Sequence, residues 1–432
     1  MSFAKTVPIT TTYTLLFLLS MPTTRIGLAD AFLAPVPPHR LWSRSTTMGS
    51  TSSTTKSLLS QTVSPFEVET DHTDDTVNDD DGTEYEAIPA VRAPLKFVGP
   101  YMCLGLEFPN LATASQRSRN VTGISLDFVL DTAANINTIN GQVAKELDLE
   151  VVDEAPPGVS AAGPIPGGNT FLLGDCQLEG LPEDDQFTFM EGLTASALPV
   201  ASPAAAGLLS LPFFHCFEGG VEFQWNGMSQ AGQQQQLPPS VTFYGTEEES
   251  EELRNNMTAV AIEDLPVTHL PCVQLIINGV KIPALFDTGS PITVLNSQAA
   301  EQAGVKTPAV IVDSQNKNTN NPFAGLVNKF QTAQATAQAA ARGEILTIAG
   351  AAGERVNLLK SEANVDISLP SCSGDEGALD FGSRPIYVGN IPGLAALNAL
   401  GDDAPPAAVL GMDILRSRPK MLLLAKNNKV YF

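Results

Sequence analysis

From about residue 95 onwards, short apolar runs alternate with polar turns, and one series of such runs occurs twice. Each copy reads as strand, turn, strand, Asp-Thr with two small residues, a short apolar strand ending in Asn, and a helix-like segment. The first copy occupies 101–108, 126–130, 131–134, 135–140 and 141–147. The second occupies 270–279, 282–286, 287–290, 291–296 and 297–304. β-Branched and aromatic residues between turn residues favour strands, so the repeat predicts two related β-rich lobes.

Each copy is followed by a second related apolar segment, at 207–214 and 221–223 in the first half and at 408–415, 421–424 and 430–432 in the second. Between the halves lie a Gln run, a Pro pair and an acidic run, a composition typical of linkers. We therefore expect an N-terminal lobe at 95–226, a linker at 227–265 and a C-terminal lobe at 266–432. An insert at 314–341 is rich in Asn, Gln and Ala, and its alanines favour a helix over 327–342.

The first 94 residues differ from the lobes. Residues 1–31 carry an early Lys5 and an apolar run too short to span a membrane, which predicts a signal peptide; a short membrane-associated helix is the alternative. Residues 32–60 contain Ser, Thr and Arg without any acid, which indicates a transit-peptide-like segment. Residues 61–94 are largely acidic and predict a disordered spacer.

With Ala31-Phe32 and Ala34-Pro35 at their junction, the first two segments resemble the bipartite plastid presequence of diatoms and related algae. The resemblance implies delivery to a plastid through the secretory pathway. Secretion or residence in an endomembrane lumen is the alternative, and the glycosylation sequons at Asn120 and Asn256 would then matter.

The charge, cysteine and histidine content of the chain argue against several kinds of binding partner and site. The formal net charge of −23 argues against nucleic acid, because phosphate contacts need Lys and Arg. The five cysteines are scattered and odd in number, so we expect reduced thiols rather than a disulfide framework. The four histidines form no pair with metal-ligand spacing, so we expect neither a metal nor a cofactor.

The candidate chemistry lies in the two Asp-Thr turns, at Asp131 and Asp287. A strand ending in Asp-Thr-Gly presents a carboxylate at a tight turn, where Gly permits close approach and the Thr hydroxyl can bond backbone across a lobe interface. Two facing turns would bring together two carboxyls that cannot both ionise. One could then activate water while the other hydrogen-bonds a scissile carbonyl. The pair would titrate as a unit, so the sequence does not say which carboxyl is the base.

At these residues the chain resembles the aspartic proteases, and the retropepsin-like group more closely than pepsin. The match covers about 100–225 and 266–432, and it is fuller in the second copy, where an apolar-apolar-Gly segment follows at 409–411. The resemblance implies an all-β, bilobal acid-protease fold of the double-ψ β-barrel type, with two homologous lobes and few short helices. It implies a catalytic pair, Asp131 and Asp287, supported by Thr132, Ala133, Thr288, Gly289 and Ser290.

The first copy departs from the motif twice, with Ala133 in place of the turn Gly and Ser210 in place of the later Gly. If the turn needed a positive φ, Ala would cost about 1 kcal/mol there. Three functions stay open: an aspartic endopeptidase, a catalytically inactive peptide-binding protein using the same inter-lobe cleft, and a structural β protein whose Asp residues cap turns. The repeat argues against the third.

The expected partner is a peptide or protein substrate, with no nucleic acid and, after processing, no membrane. Because both half-sites lie on one chain, we expect a monomer. Gly-rich segments at 161–168 and 348–353 are candidate flaps over the cleft, since such hairpin tips can act as mobile lids. Ordinary surface turns are the alternative for both.

Overall fold

The computed structural model describes residues 90–160, 163–182, 186–198, 205–225, 238–265, 268–308, 339, 342–349, 355–372, 377–391 and 407–432, with the backbone of 13–14 and 19–20. The predictions for the signal peptide, the transit segment, most of the acidic spacer and most of the 314–341 insert, including nearly all of its expected helix, therefore fall outside the described residues.

The described part is mainly β-strand. Its strands are β1 (Tyr13–Thr14), β2 (Leu19–Ser20), β3 (Val91–Val98), β4 (Tyr101–Phe108), β5 (Ile124–Leu130), β6 (Thr138–Asn140), β7 (Glu150–Ala155), β8 (Gly158–Ser160), β9 (Gly163–Ile165), β10 (Gly168–Leu178), β11 (Met190–Leu198), β12 (Gly207–Leu209), β13 (Gly220–Gln224), β14 (Ser240–Tyr244), β15 (Ala259–Ala261), β16 (Glu263–Asp264), β17 (Pro271–Ile277), β18 (Val280–Phe286), β19 (Val294–Leu295), β20 (Ile345–Ala349), β21 (Arg355–Lys360), β22 (Val365–Leu369), β23 (Leu379–Arg384), β24 (Tyr387–Val388), β25 (Ala408–Leu410), β26 (Lys420–Leu424) and β27 (Lys429–Tyr431).

The helices are short. They are α1 (Ala114–Arg117), α2 (Gly141–Leu147), α3 (Leu211–Phe214), α4 (Glu251–Asn255), α5 (Ser297–Gln302) and α6 (Met412–Leu415), with 3-10 turns at Glu248–Ser250 and Ala425–Asn427. None of these helices is long and apolar enough to cross a membrane. Within the same described residues, no group of three or more His, Cys, Asp or Glu side chains could hold a metal ion.

The N-terminal lobe is built on a closed β-barrel. Its strands follow the order β4-β5-β12-β6-β11-β10. The ring closes where Gln177 and Leu178 of β10 pair with Glu107 and Leu106 of β4. Side chains that alternate along these strands fill the interior, including the fully buried Phe128.

The C-terminal lobe repeats this strand order with β17-β18-β25-β19-β24-β21, and among its described strands β21 does not pair with β17. In each lobe the strand before the Asp pairs in parallel with a short later strand, β5 with β12 and β18 with β25. That later strand pairs antiparallel with the strand after the Asp. Cys103 and Cys272 occupy equivalent positions, opposite Val129 and Leu285. All five cysteines are free. The predicted all-β fold with two related lobes and few short helices is confirmed.

A six-stranded sheet, in the order β15-β27-β26-β13-β14-β3, joins the lobes. Residues 227–265, which were expected to form a linker, contribute β14 and β15 to this sheet. The segment at β14 alternates apolar and polar residues, and its Val241 and Phe243 are fully buried. The ring of Phe243 packs 4.7 Å from that of Phe217. The sheet also begins four residues before the expected start of the lobe, at Val91 in β3.

The Asn that ends each short strand caps the following helix. Asn140 accepts a hydrogen bond from the backbone of Gln142 at the start of α2, and Asn296 accepts one from Ala299 in α5. Such caps satisfy N–H groups that have no partner within a helix. The predicted helix over 141–147 matches α2, and α5 ends at Gln302, two residues before its predicted end.

Candidate active site

Each candidate aspartate follows the end of a strand, where its backbone bonds to a neighbouring strand. The N–H of Asp131 donates to the carbonyl of Leu209 (2.9 Å), and the N–H of Asp287 donates to that of Leu410 (3.1 Å). Both aspartates are 0 % exposed. The two turns therefore meet in the protein interior with equivalent backbone supports.

The two threonines after these aspartates tie the lobes together. The Thr132 hydroxyl donates to the carbonyl of Phe286 (2.6 Å), and the Thr288 hydroxyl donates to that of Leu130 (2.7 Å). The backbone N–H of each threonine donates to the hydroxyl of the other, at 3.2 and 3.1 Å. Both side chains are buried, so breaking any of these bonds would leave a buried polar group without a partner. The pattern fixes the two turns relative to each other.

The carboxyl group of Asp131 packs directly on Gly289 of the other lobe. A Cβ atom placed on Gly289 would lie 2.4 Å from Cγ of Asp131 and 2.6 and 2.8 Å from its two oxygens. The φ angle of Gly289 is not positive, and neither is that of Ala133. Glycine is therefore needed at position 289 for space. The expected φ penalty for Ala133 does not arise.

Both carboxyl groups are held in part by backbone N–H groups. Oδ1 of Asp131 accepts from Ala133 (2.9 Å), and Oδ1 of Asp287 accepts from Ser290 (2.8 Å). In both residues Oδ2 is buried and receives no N–H or hydroxyl group of the described residues, and the two carboxyls lie close enough to share a hydrogen bond when one is protonated. The two Oδ2 atoms are thus the positions at which a proton or a bound molecule could be held.

Burial raises the pKa values of both carboxyls. The pKa of Asp131 rises to about 7, because desolvation outweighs the stabilising N–H of Ala133. The pKa of Asp287 rises well above its usual value through desolvation and, next, through the charge of Asp131. Two coupled, buried carboxyls in this state retain at least one proton at mildly acidic pH. They have the electrostatics of a pair that can both accept and donate a proton.

Behind the two turns, different side chains accept the backbone N–H of the residue that follows the later strand. In the C-terminal lobe, the N–H of Gly411 donates to the hydroxyl of Thr293 (3.0 Å). In the N-terminal lobe, the N–H and the hydroxyl of Ser210 both donate to Oδ1 of Asn137, each at 2.9 Å. Sequence reasoning missed Asn137 and Thr293, although each lies six residues after its aspartate.

The two remaining predicted residues, Ala133 and Ser290, have different surroundings. Ala133 is fully buried in an apolar cluster shared with C-terminal residues such as Ile292. The Ser290 hydroxyl donates to the carbonyl of Ile292 (2.7 Å), so it braces its own turn. The structure thus brings together Asp131, Thr132, Ala133, Asp287, Thr288, Gly289 and Ser290, with the N–H of Ser290 on the Asp287 carboxyl and its hydroxyl on the turn backbone.

Hairpins in each lobe contain the candidate flap segments. β8 pairs with β9 around 161–162, and β20 pairs with β21 around 350–354, with both tips outside the described residues. The short N-terminal segments lie on the hairpin edges, β1 on β20 and β2 on β8. A cavity of about 630 Å³ lies elsewhere, lined by residues such as Arg342, Lys360 and Pro385, and it does not reach the carboxyl pair.

A family model described as aspartyl protease matches residues 273–342, which include Asp287 and its turn. No sequence among curated proteins is similar to the chain. Solved structures of similar shape include basic 7S globulin from soybean, at 10 % identity and TM-score 0.39, covering 80 % of this chain and 95 % of that one. Conglutin gamma, a basic 7S globulin from lupine seeds, shows 9 % identity and TM-score 0.41, covering 80 % of this chain and 94 % of that one. Likenesses this distant say nothing of activity.

Proposed function

We propose that the protein is an aspartic endopeptidase in which Asp131 and Asp287 share a proton and activate a water molecule. The observation that carries the proposal is the pairing of two Asp-Thr turns whose threonines are cross-bonded and whose carboxyls are buried and coupled. A structural role as turn caps would not require this coupling. The family match around Asp287 supports the same conclusion.

In the proposed reaction, the ionised carboxyl takes a proton from water while the protonated carboxyl donates a hydrogen bond to the substrate carbonyl. The resulting hydroxide adds to the carbonyl carbon, and proton transfer to the amide nitrogen allows the peptide bond to break. The raised pKa of Asp131, about 7, keeps the singly protonated pair available at mildly acidic pH. No cofactor or metal takes part.

The hairpin edges support extended peptide as the substrate form. The edges of β20 and β8 pair with β1 and β2, so each accepts an added strand. Residues 13–20 lie in the expected signal peptide, and its removal would free both edges. Because both carboxyls are 0 % exposed, substrate binding requires the residues that cover them to move apart.

A second function, peptide binding without cleavage, is favoured by two observations. The carboxyls are fully buried, and Ala133 fills the place that corresponds to Gly289 with a methyl group. Ala133 thus departs from the glycine of the motif two residues after the aspartate, and its methyl group packs in the apolar cluster with Ile292. This alternative uses the same cleft and differs only at the reacting centre.

The experiment compares the wild-type protein with two single variants, Asp131→Asn and Asp287→Asn. Each is secreted and processed by a eukaryotic host. The proteins are incubated with a peptide library from about pH 3 to about pH 8, and products are identified by mass spectrometry. We expect each variant to lose at least about a thousandfold in activity, because an amide can neither take the proton nor complete the pair. Asp366→Asn, an exposed aspartate on β22, is the matched control and should cleave normally.

The rival outcomes are separable. If the wild-type protein cleaves no peptide at any pH but binds peptides in fluorescence anisotropy, peptide binding replaces proteolysis as the function. If it neither cleaves nor binds, both functions fail. Cleavage that survives both substitutions would place the reacting groups elsewhere.

A further inference from the structure

The backs of the two aspartate turns are held by side chains that differ in length. Gly411 has no side chain, and its N–H reaches the short Thr293. Ser210 carries a side chain, and its N–H and hydroxyl converge on the longer Asn137. Ser210 is 0 % exposed, so its two donors have no access to water. The residue that follows the later strand (Ser210 or Gly411) and the side chain that accepts its N–H (Asn137 or Thr293) therefore both differ between the lobes.

Sterics explain why these two differences belong together. A Cβ atom on Gly411 would lie 2.3 Å from the carbonyl oxygen of Ile292 and 2.9 Å from that of Ser290. The C-terminal turn thus has no room for a serine. The N-terminal turn accommodates Ser210, which is fully buried at the equivalent position. Asparagine extends one bond further than threonine, and Oδ1 of Asn137 reaches both the N–H and the hydroxyl of Ser210.

Ser210 is connected to Asp131 through its two chain neighbours. Leu209 accepts the backbone N–H of Asp131 (2.9 Å), and Leu211 donates to the carbonyl of Ala134 (2.8 Å). Asn137 is itself anchored, because its carbonyl accepts the N–H of Ser196 (2.9 Å). A shift of the Ser210 backbone would therefore move both ends of the turn that carries the Asp131 carboxyl.

We infer that Asn137 and Ser210 act together as positioning residues for Asp131, replacing in the N-terminal lobe the Thr293–Gly411 contact of the C-terminal lobe. This inference rests on the proposed function for its catalytic consequence, but its structural part does not. On this basis Ser210 is one half of a compensated pair, and its departure from the family motif leaves the N-terminal turn in working geometry.

The test transfers the Thr293–Gly411 contact into the N-terminal lobe, where Pro212 stands in place of Asp413, the residue whose carboxyl accepts the Thr293 hydroxyl (2.6 Å). Four variants are made in the processed chain: Asn137→Ala, Asn137→Thr, Ser210→Gly and the double variant Asn137→Thr/Ser210→Gly. Each is measured for kcat, KM and pH profile, for thermal unfolding, and for the apparent pKa values of the pair by ¹³C NMR of labelled aspartate carboxyls. The NMR titration needs no enzymatic activity.

We expect Asn137→Ala and Asn137→Thr each to lower kcat about tenfold at nearly constant KM and to shift the apparent pKa values of the pair, since two buried donors lose their acceptor. Ser210→Gly alone should cost about threefold, because its N–H still reaches Asn137. The double variant should recover to within about threefold of wild type, although independent losses would multiply to about thirtyfold.

Ser361→Ala is the control, because that buried hydroxyl accepts the N–H of Ile386 away from the turns. It should lower the unfolding temperature and leave the pKa values of the pair unchanged. The inference is overturned if the losses of the double variant multiply, or if Asn137→Ala lowers the unfolding temperature without moving the pair's pKa values. If no protein cleaves peptide, the proposed function fails, and the NMR titration still decides whether Asn137 and Ser210 position Asp131.

Discussion

The two aspartate turns agree in their backbone and differ in their side chains. Each aspartate N–H bonds to the corresponding later strand, and each threonine hydroxyl bonds to a carbonyl of the opposite lobe. The side chains behind and beside the turns differ, with Ala133 and Ser210 in one lobe and Gly289 and Gly411 in the other. The shared features are hydrogen bonds made by the backbone and by the threonine hydroxyls. The differing features are the space that a side chain occupies and the side chain that accepts the N–H behind each turn.

Whether the turn needs a glycine two residues after the aspartate depends on what lies next to that position in each lobe. Gly289 is required because the Asp131 carboxyl lies on its Cα. Ala133 is tolerated because its methyl group packs among apolar residues of the C-terminal lobe. Loss of motif glycines in one lobe is therefore not by itself a sign that the lobe has stopped working.

Among substitutions that keep both aspartates, the largest effect should come from giving position 289 the alanine that the N-terminal lobe has at position 133. Gly289→Ala would put a methyl carbon 2.4 Å from Cγ of Asp131, far inside the usual carbon contact distance of about 3.5 Å. We expect peptidase activity to fall at least about a hundredfold and the free energy of unfolding to fall by about 1–3 kcal/mol. Kinetics and urea unfolding measure both. Wild-type activity in this variant would contradict the close packing of the carboxyl.

The buried carboxyls should make stability depend on pH. The pKa of Asp131 is about 7 in the folded protein against an ordinary 3.8, so between these values the folded state binds more protons than the unfolded state. The contribution of Asp131 to the free energy of unfolding is then fully present below about pH 4 and is lost as pH rises towards 7, by up to about 1.4 kcal/mol per pH unit. Asp131→Asn should flatten this slope in urea titrations. A stability that rises with pH over this window would refute the assignment.

The hydrogen bonds of Thr132 and Thr288 across the lobe interface are the feature that the two turns share, and valine substitutions test them. Thr132→Val and Thr288→Val keep the side-chain shape and remove one donor and one acceptor each. Each should lower the free energy of unfolding by about 1–3 kcal/mol, because buried partners are left without hydrogen bonds. Urea unfolding should give similar losses for the two variants. A large difference between them would show that the lobes contribute unequally to their junction.

The smallest effect should come from restoring the motif glycine in the N-terminal lobe. Ala133 has no positive φ, so Ala133→Gly relieves no backbone strain and removes one buried methyl group. We expect activity within about threefold of wild type and a loss of stability of about 1 kcal/mol. Kinetics and thermal unfolding are sufficient to measure it. A gain of tenfold or more in activity would show that the methyl group obstructs the pair.

Much of the fold could be predicted because its signals are local. The alternation of apolar and polar residues gave the strands, and Asn140 and Asn296 mark the starts of helices by supplying caps. The strand β14 was assigned to a linker because the Gln-rich and acidic neighbours of this short segment dominate its composition. Its partners β13 and β3 are distant in sequence, so only folding makes it part of a sheet.

The residues of the candidate site could be named from the sequence, but the packing around them could not. The sequence by itself determined the two lobes, the two aspartates and the threonines that follow them, because these depend on residue type and on a repeated pattern. Only the tertiary structure decided that Gly289 serves the carboxyl of the other lobe, that Ala133 fits, and that Asn137 supports Ser210. Each of these is a distance between residues far apart in the chain, and such distances are set by packing.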